Sequence, residues 1–189
     1  MSIQIYKPNK SNTGFAFNFS MGVDKRSLEP VLFVSAIAQH SWDSKKRIGS
    51  FSESKNNPEK NINLKFNEFE CGSIVDAITR RYEYSTFHQF ENNKTTIKFS
   101  PWDKDVKSSK FNPSTKKYEE YTYQSPAFGI SITKNGSNTF KIPIEPGEAL
   151  CIKEYITQII QDLYKHRFKV RMKEFKKSQT KSDSEDCPI

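Results

Sequence analysis

Apolar and polar positions alternate with a period of two along much of the chain, and twice the period lengthens to that of a helix. Phe15-Ala16-Phe17-Asn18-Phe19 alternates after the turn residues Thr13-Gly14. Val31 to Ile37 is apolar on both sides for most of its length, as a strand covered on both faces would be. Arg47 to Phe51 is a candidate short strand, and Ile62, Leu64 and Phe66 alternate with Asn61, Asn63, Lys65 and Asn67. Ile74, Val75, Ile78 and Tyr82 then change the spacing and predict a helix from near Glu70 to Arg81.

The same order begins again. Phe87 to Phe90, Thr95 to Phe99, Tyr118 to Tyr123 leading into Phe128 to Ile132, and Phe140 to Ile144 are strand candidates. Asn135-Gly136 between the last two has the composition of a type I′ hairpin turn. Pro143 cannot donate to a ladder, so an edge or a bulge is expected there. Pro146-Gly147-Glu148 opens a second helix, with Pro and Glu suited to a first turn. Its apolar stripe is Ile152, Ile156, Ile159, Ile160, Leu163 and Tyr164, extended by Phe168, Met172 and Phe175 to about residue 176. Ser41 to Lys60 and Asp103 to Lys117 are rich in Lys, Ser and Asn and are expected to be mobile loops.

At a constant offset of 78 residues, Ile62, Leu64 and Phe66 fall on Phe140, Ile142 and Ile144. Glu70, Ile74, Asp76, Ile78 and Thr79 fall on Glu148, Ile152, Glu154, Ile156 and Thr157. An ungapped match across a strand and a helix points to a true duplication. The expected fold is α+β, a duplicated ββββα unit with two antiparallel sheets and two helices packed at one end. Ile74, Ile78, Ile152, Ile156 and Ile160 should be buried against the sheets. Residues 1–176 form one domain with a helical extension, followed by a flexible tail at 177–189.

Composition narrows the function classes. The 189 residues suffice for one domain without disulfide or metal staples. Only 34% are apolar, yet 13% are aromatic, so rings should fill much of the core. With 28% of residues charged and no long apolar run, neither a membrane span nor a membrane partner is expected. No apolar leader opens the sequence, so a cytoplasmic location, or the host cytoplasm if phage-encoded, is expected. Cys71, Cys151 and Cys187 form no close pair, and His40, His88 and His166 lie far apart. No nucleotide-binding, zinc-protease or serine-hydrolase motif occurs. The acids Asp43, Glu53, Asp103 and Asp105 have no spacing that favours a divalent-ion site. No catalytic residue, metal or cofactor is expected, and the chain is not expected to be an enzyme.

The net charge of +8 is uneven. Residues 165–181 hold eight basic side chains against Glu174, whereas 182–189 hold Asp183, Glu185 and Asp186 and no base. A mildly basic body thus carries a strongly basic segment and then an acidic tip, which suits a polyanionic partner.

The duplicated ββββα order resembles the Whirly-like family of single-stranded nucleic-acid-binding proteins. The Pro30-Val31-Leu32-Phe33-Val34 strand and the Ile142-Pro143-Ile144-Glu145-Pro146-Gly147-Glu148 approach to the second helix also carry the resemblance. The chain is similar, too, to the fold shared by mitochondrial guide-RNA-binding proteins and a class of transcriptional coactivators. No plant-type Lys-Gly-Lys-Ala-Ala-Leu motif occurs, so the resemblance points to bacterial or phage relatives. It implies sheets that bind single strands without strict sequence preference, and protomers assembled as dimers or tetramers. Separately, Ser182 to Ile189 resembles the acidic tip of bacterial single-stranded-DNA-binding proteins. That likeness implies a partner-binding tail carried by Asp183, Glu185, Asp186, Pro188 and Ile189, with replication or recombination proteins as partners.

Non-specific strand binding needs cations for phosphates and exposed rings for bases. Trp42, Lys45, Lys46, Arg47 and Phe51 supply both within ten residues. Lys98 with Trp102, and Tyr121 with Tyr123 after Lys116 and Lys117, are the other candidates. Each ring could equally belong to the core. The leading expectation is a single-stranded-DNA-binding protein of replication, recombination or repair. The alternatives are an RNA-binding or annealing protein, a transcription factor, or an oligomeric protein scaffold.

Overall fold

A computed structural model describes the backbone of residues 2–185 and the side chains of 2–176. Four strands, β1 (Ser2–Lys7), β2 (Phe15–Val23), β3 (Pro30–Ala38) and β6 (Asn61–Phe66), form an antiparallel sheet in the order β1-β2-β3-β6. Between β3 and β6 the chain makes a separate hairpin, β4 (Ser41–Asp43) with β5 (Ile48–Ser50), and a 3-10 turn at Ser52–Asn56. Helix α1 (Glu68–Arg80) follows. The second sheet is β7 (Tyr84–Phe90), β8 (Asn93–Asn112), β9 (Lys117–Lys134) and β10 (Asn138–Ile144), again an antiparallel meander. Helix α2 spans Pro146–Glu185.

The duplication holds at the level of single hydrogen bonds. Helices α1 and α2 begin at Glu68 and Pro146, 78 residues apart. In α1 the Asn67 side chain accepts from the N–H groups of Phe69 and Glu70, while Glu70 Oε2 accepts from Asn67 N at 2.9 Å. This capping box satisfies donors that a helix start leaves unpaired. Glu148, the equivalent of Glu70, accepts from Glu145 N at 2.8 Å. Thr79 and Thr157 each donate their hydroxyl to the carbonyl four residues earlier, at 2.7 and 2.9 Å.

One core lies between the two sheets and the helices. Phe17, Phe19, Phe66, Phe99 and Phe140 are at most 1% exposed, and Phe15 meets Phe140 edge-on. Ile74, Ile152 and Ile156 are buried as their spacing predicts, but Ile78 and Ile160 are only partly covered at the margin of the core. Two polar ties fix α2. Met21 N–H donates to the Tyr155 hydroxyl at 2.8 Å, and Arg167 spans Glu29 and Glu68, both at 2.7 Å.

Three expectations are corrected. The fourth strand of the first sheet is β1, whose Ile3 and Ile5 alternate too briefly before Pro8 to stand out. The Arg47–Phe51 candidate supplies only β5, paired with β4 outside that sheet. Asp103 to Lys117 is no irregular loop: it belongs to β8 and β9, which stay in register from Thr95↔Lys134 to Asn112↔Lys117. Beyond the sheet those strands form a two-stranded ribbon wet on both faces, so no hydrophobic alternation announces it. The Ser41 to Lys60 stretch likewise contains the β4–β5 hairpin and the 3-10 turn. At the predicted turn, Asn135 and Gly136 have φ of 52° and 73°, as type I′ geometry requires, and Pro143 lies on the edge strand β10.

Candidate nucleic-acid interface

Strand alternation gives the second sheet a buried face and a wet one. Ile97, Phe99, Ile130, Ile132, Phe140 and Ile142 point into the core. Their neighbours form rows on the outer face. Phe87, Thr96, Thr133 and Thr139 make one row, and Ser85, Lys98, Ser131 and Lys141 the next. Ser100, Gly129 and Pro143 follow, then Trp102 opposite Ala127. The floor is therefore small and hydroxylated, with an exposed ring at either end: Phe87 is 54% and Trp102 41% exposed. Low side chains let a nucleic-acid backbone approach closely, and hydroxyls can donate to phosphate oxygens.

The face continues along the ribbon. Tyr123 opposes Val106 and Tyr121 opposes Ser108, on the same side as Trp102 by the period of two. Both tyrosines are about half exposed, and their rings lie 6.1 Å apart, tilted by 33°. Lys98, Lys104, Lys110 and Lys117 share this face, with Glu119 opposite Lys110. Asp103, Asp105 and Glu120 fall on the reverse face, accompanied by Lys107. From the Lys98 rung to that of Tyr121 the exposed rings and most of the cations thus fall on one side and the acids on the other. Two of the cations have acidic neighbours: Lys98 meets Glu83 at 2.8 Å and Lys104 meets Glu145 at 2.6 Å. The Lys98 ammonium holds the Glu83 carboxyl below its ordinary range. Exposed pairs of this kind are weak, so phosphates can compete for both lysines.

The remaining candidates gather elsewhere. Lys45, Lys46 and Arg47 stand exposed in the β4–β5 turn, where Asp43 Oδ1 accepts from the N–H groups of Lys45 and Lys46 at 2.9 and 3.0 Å. Phe51 is half-buried against Tyr6, ring centroids 5.9 Å apart. Trp42 is half-buried opposite Gly49, and its Nε1 is enclosed without a partner among the described residues. The nine predicted residues therefore form two groups. Lys98, Trp102, Tyr121 and Tyr123 share one face of the second sheet and ribbon, and the other five surround the small hairpin. Phe87 and Lys141 complete the sheet face and were missed, because an isolated ring or lysine in a strand carries no signal until the register is known. The tail residues Asp183, Glu185, Asp186, Pro188 and Ile189 have no described side chains.

No protein-family model matches the chain, and no curated protein matches it in sequence. Solved structures do match. The crystal structure of WHY1 from Arabidopsis thaliana superposes with a TM-score of 0.54 at 14% identity, over 92% of this chain and 91% of that one. The plant transcriptional regulator PBF-2 superposes with a TM-score of 0.52 at 13% identity, over 91% of this chain and 86% of that one. The fold is the Whirly fold. Both likenesses span nearly the whole chain, so neither sheet of this Whirly fold is an appendage to the match. Among the described residues no three His, Cys, Asp or Glu side chains gather as a metal site, and no helix is long and apolar enough to cross a membrane.

Proposed function

We propose that the protein binds single-stranded DNA with little sequence preference and serves replication, recombination or repair. The observation that carries this reading is the row of exposed rings, Phe87, Trp102, Tyr123 and Tyr121, set among Lys98, Lys104 and Lys141 over a Ser/Thr floor. Rings stack on any base and lysines follow any backbone, so such a face holds a strand without reading it. The likeness to Whirly structures supports the same reading.

In this reading the β4–β5 hairpin, with Trp42, Lys45, Lys46, Arg47 and Phe51, extends the contact over the first sheet. Exposed Phe168, Met172 and Phe175 on α2 associate protomers into a dimer or tetramer, and the acidic tail recruits a replication or recombination protein. The test is a titration with a mixed-sequence oligonucleotide at several salt concentrations. Quenching of tryptophan emission is expected, with affinity falling steeply as salt rises. Weak binding, without quenching or salt dependence, would favour a protein scaffold instead. A second reading, control of transcription, is favoured by the likeness to PBF-2. Preference for one duplex sequence over the mixed single strand would select it.

A further inference from the structure

The ribbon carries a second set of rings that the sheet face does not use. β10 stops pairing at Phe128 and β7 at Phe99, so from Trp102 to Asn112 and from Lys117 to Ala127 β8 and β9 have only each other. Eleven rungs at about 3.3 Å each make a ribbon roughly 35 Å long, its first rungs tied to the body by Arg81–Asp103 and Lys104–Glu145. At the last rung but one, Phe111 opposes Tyr118, with ring centroids 5.4 Å apart and an edge-on angle of 60°. These rings are 47% and 73% exposed. By the alternation of the strands they stand on the face opposite Trp102, Tyr121 and Tyr123.

Charge confines where this reverse face can meet a polyanion. Near its base it holds Asp103 and Asp105, and Glu120 lies two rungs inside the Phe111–Tyr118 pair. From Val106 to Tyr118, however, the chain has four lysines, Lys107, Lys110, Lys116 and Lys117, and no acid. None of the four makes an ion pair among the described residues. The end is also held in shape: Asn112 accepts from Ser114 N at 2.9 Å and donates to Glu119 at 2.6 Å, which keeps that carboxylate beside the turn.

We propose that the ribbon end is a separate contact for a second segment of single-stranded nucleic acid, so that one protein joins two strands. The inference rests on the sheet-face reading above and adds a bridging activity to it. A strand on the sheet face covers Trp102, Tyr121 and Tyr123 and leaves Phe111 and Tyr118 pointing away. Lys107 on their face and Lys116 in the turn supply phosphate contacts, and the exposed pair supplies stacking surface. Such a device brings two strands together, which is the physical requirement for pairing complementary ones.

Two short non-complementary oligonucleotides, one with a donor dye and one with an acceptor, test it with the full-length protein. Energy transfer between them should appear on adding protein. The double variant Phe111→Ser, Tyr118→Ser should bind either oligonucleotide alone within about twofold of the parent, yet need at least about tenfold more protein for transfer, as loss of stacking predicts. A second variant, Lys107→Gln with Lys116→Gln, keeps the rings and leaves the lysines of the sheet face in place. It should flatten the dependence of bridging on salt by about 1.4 in log–log slope.

Equal transfer with parent and variants would overturn the proposal and assign bridging to association of whole protomers. Loss of single-oligonucleotide binding in step with transfer would also overturn it, because the ribbon end would then be part of the first site. If the parent binds one oligonucleotide but never bridges, this inference falls and the sheet-face reading stands. If the parent binds none, both fall.

Discussion

Glu70 and Glu148 occupy equivalent places in the two repeats, and the structure predicts that replacing them has unequal consequences. Each accepts a backbone N–H at its helix start, at 2.9 Å from Asn67 and 2.8 Å from Glu145. Glu70 is nearly enclosed, and its second oxygen also accepts from the Thr86 hydroxyl at 2.8 Å and meets His88 Nε2 at 2.6 Å. Among the described residues Glu148 meets only Lys7 in addition, at 2.7 Å, and both side chains of that pair are about 30% exposed. Glu70→Ala removes a cap worth about 1 kcal/mol. It also leaves two half-buried polar groups short of a partner, at about 1 kcal/mol each. The expected loss is about 3 kcal/mol. Glu148→Ala should cost about 1 kcal/mol, since water reaches Lys7 and the exposed pair contributes little. With a urea m-value of about 2 kcal/mol/M, the two midpoints should differ by about 1 M. Equal midpoints, or a larger loss at Glu148, would show that burial around the first cap does not set its weight.

Trp102→Ala should weaken oligonucleotide binding by about 1–3 kcal/mol and leave the melting temperature nearly unchanged, whereas Trp42→Ala, at a half-buried ring, should lower the melting temperature measurably by calorimetry. Asp24 and Glu29 are both held below the ordinary carboxylate range, by the Lys65 ammonium and the Arg167 guanidinium respectively. A depressed native pKa gives stability that is present above the unfolded value near 4 and is lost as pH falls through the native one. Denaturation midpoints should therefore drop on acidification below about pH 4, and Arg167→Leu should flatten the part owed to Glu29. Burial pushes the Cys71 thiol up to about 12, so alkylation of the native protein followed by peptide mass analysis should find Cys151 modified and Cys71 intact. Equal labelling of the two would contradict the burial of Cys71.

The sequence was most legible where burial imposes a period. Phe17, Phe19, Ile62, Leu64, Phe66 and the stripe of α2 announce themselves because a residue facing the core must be apolar, and the 78-residue offset survives because both units bury the same positions. Helix ends were less sharp. Glu70 marks the third residue of α1 through the capping box, and the true start at Glu68 follows from Asn67, which looks like any loop asparagine. Strand β1 was lost because a short edge strand needs only two inward residues. Among the site residues, types were legible and neighbours were not. Trp102, Tyr121 and Tyr123 share a face only because Asp103 pairs with Pro126 and Asp105 with Gln124, a register that no local pattern reveals.

The ribbon shows why that failure falls on function in particular. Periodicity reports where a chain hides apolar surface, and this segment hides almost none: Phe111, Tyr118, Tyr121 and Tyr123 are each about half exposed or more. An isolated two-stranded hairpin is only marginally stable in water. Of its four large rings, Phe111 and Tyr118 meet edge-on across the strands, a contact worth about 0.5–1.5 kcal/mol, while rings kept wet also leave sticky surface on two unpaired edges. Lysines 107, 110, 116 and 117 counter edge-to-edge pairing, which accounts for their presence but not for that of the rings. Cross-strand packing and edge protection therefore give separate, partial reasons for the rings and for the lysines. Contact with flat, stackable, anionic molecules gives a reason for the rings and the lysines together.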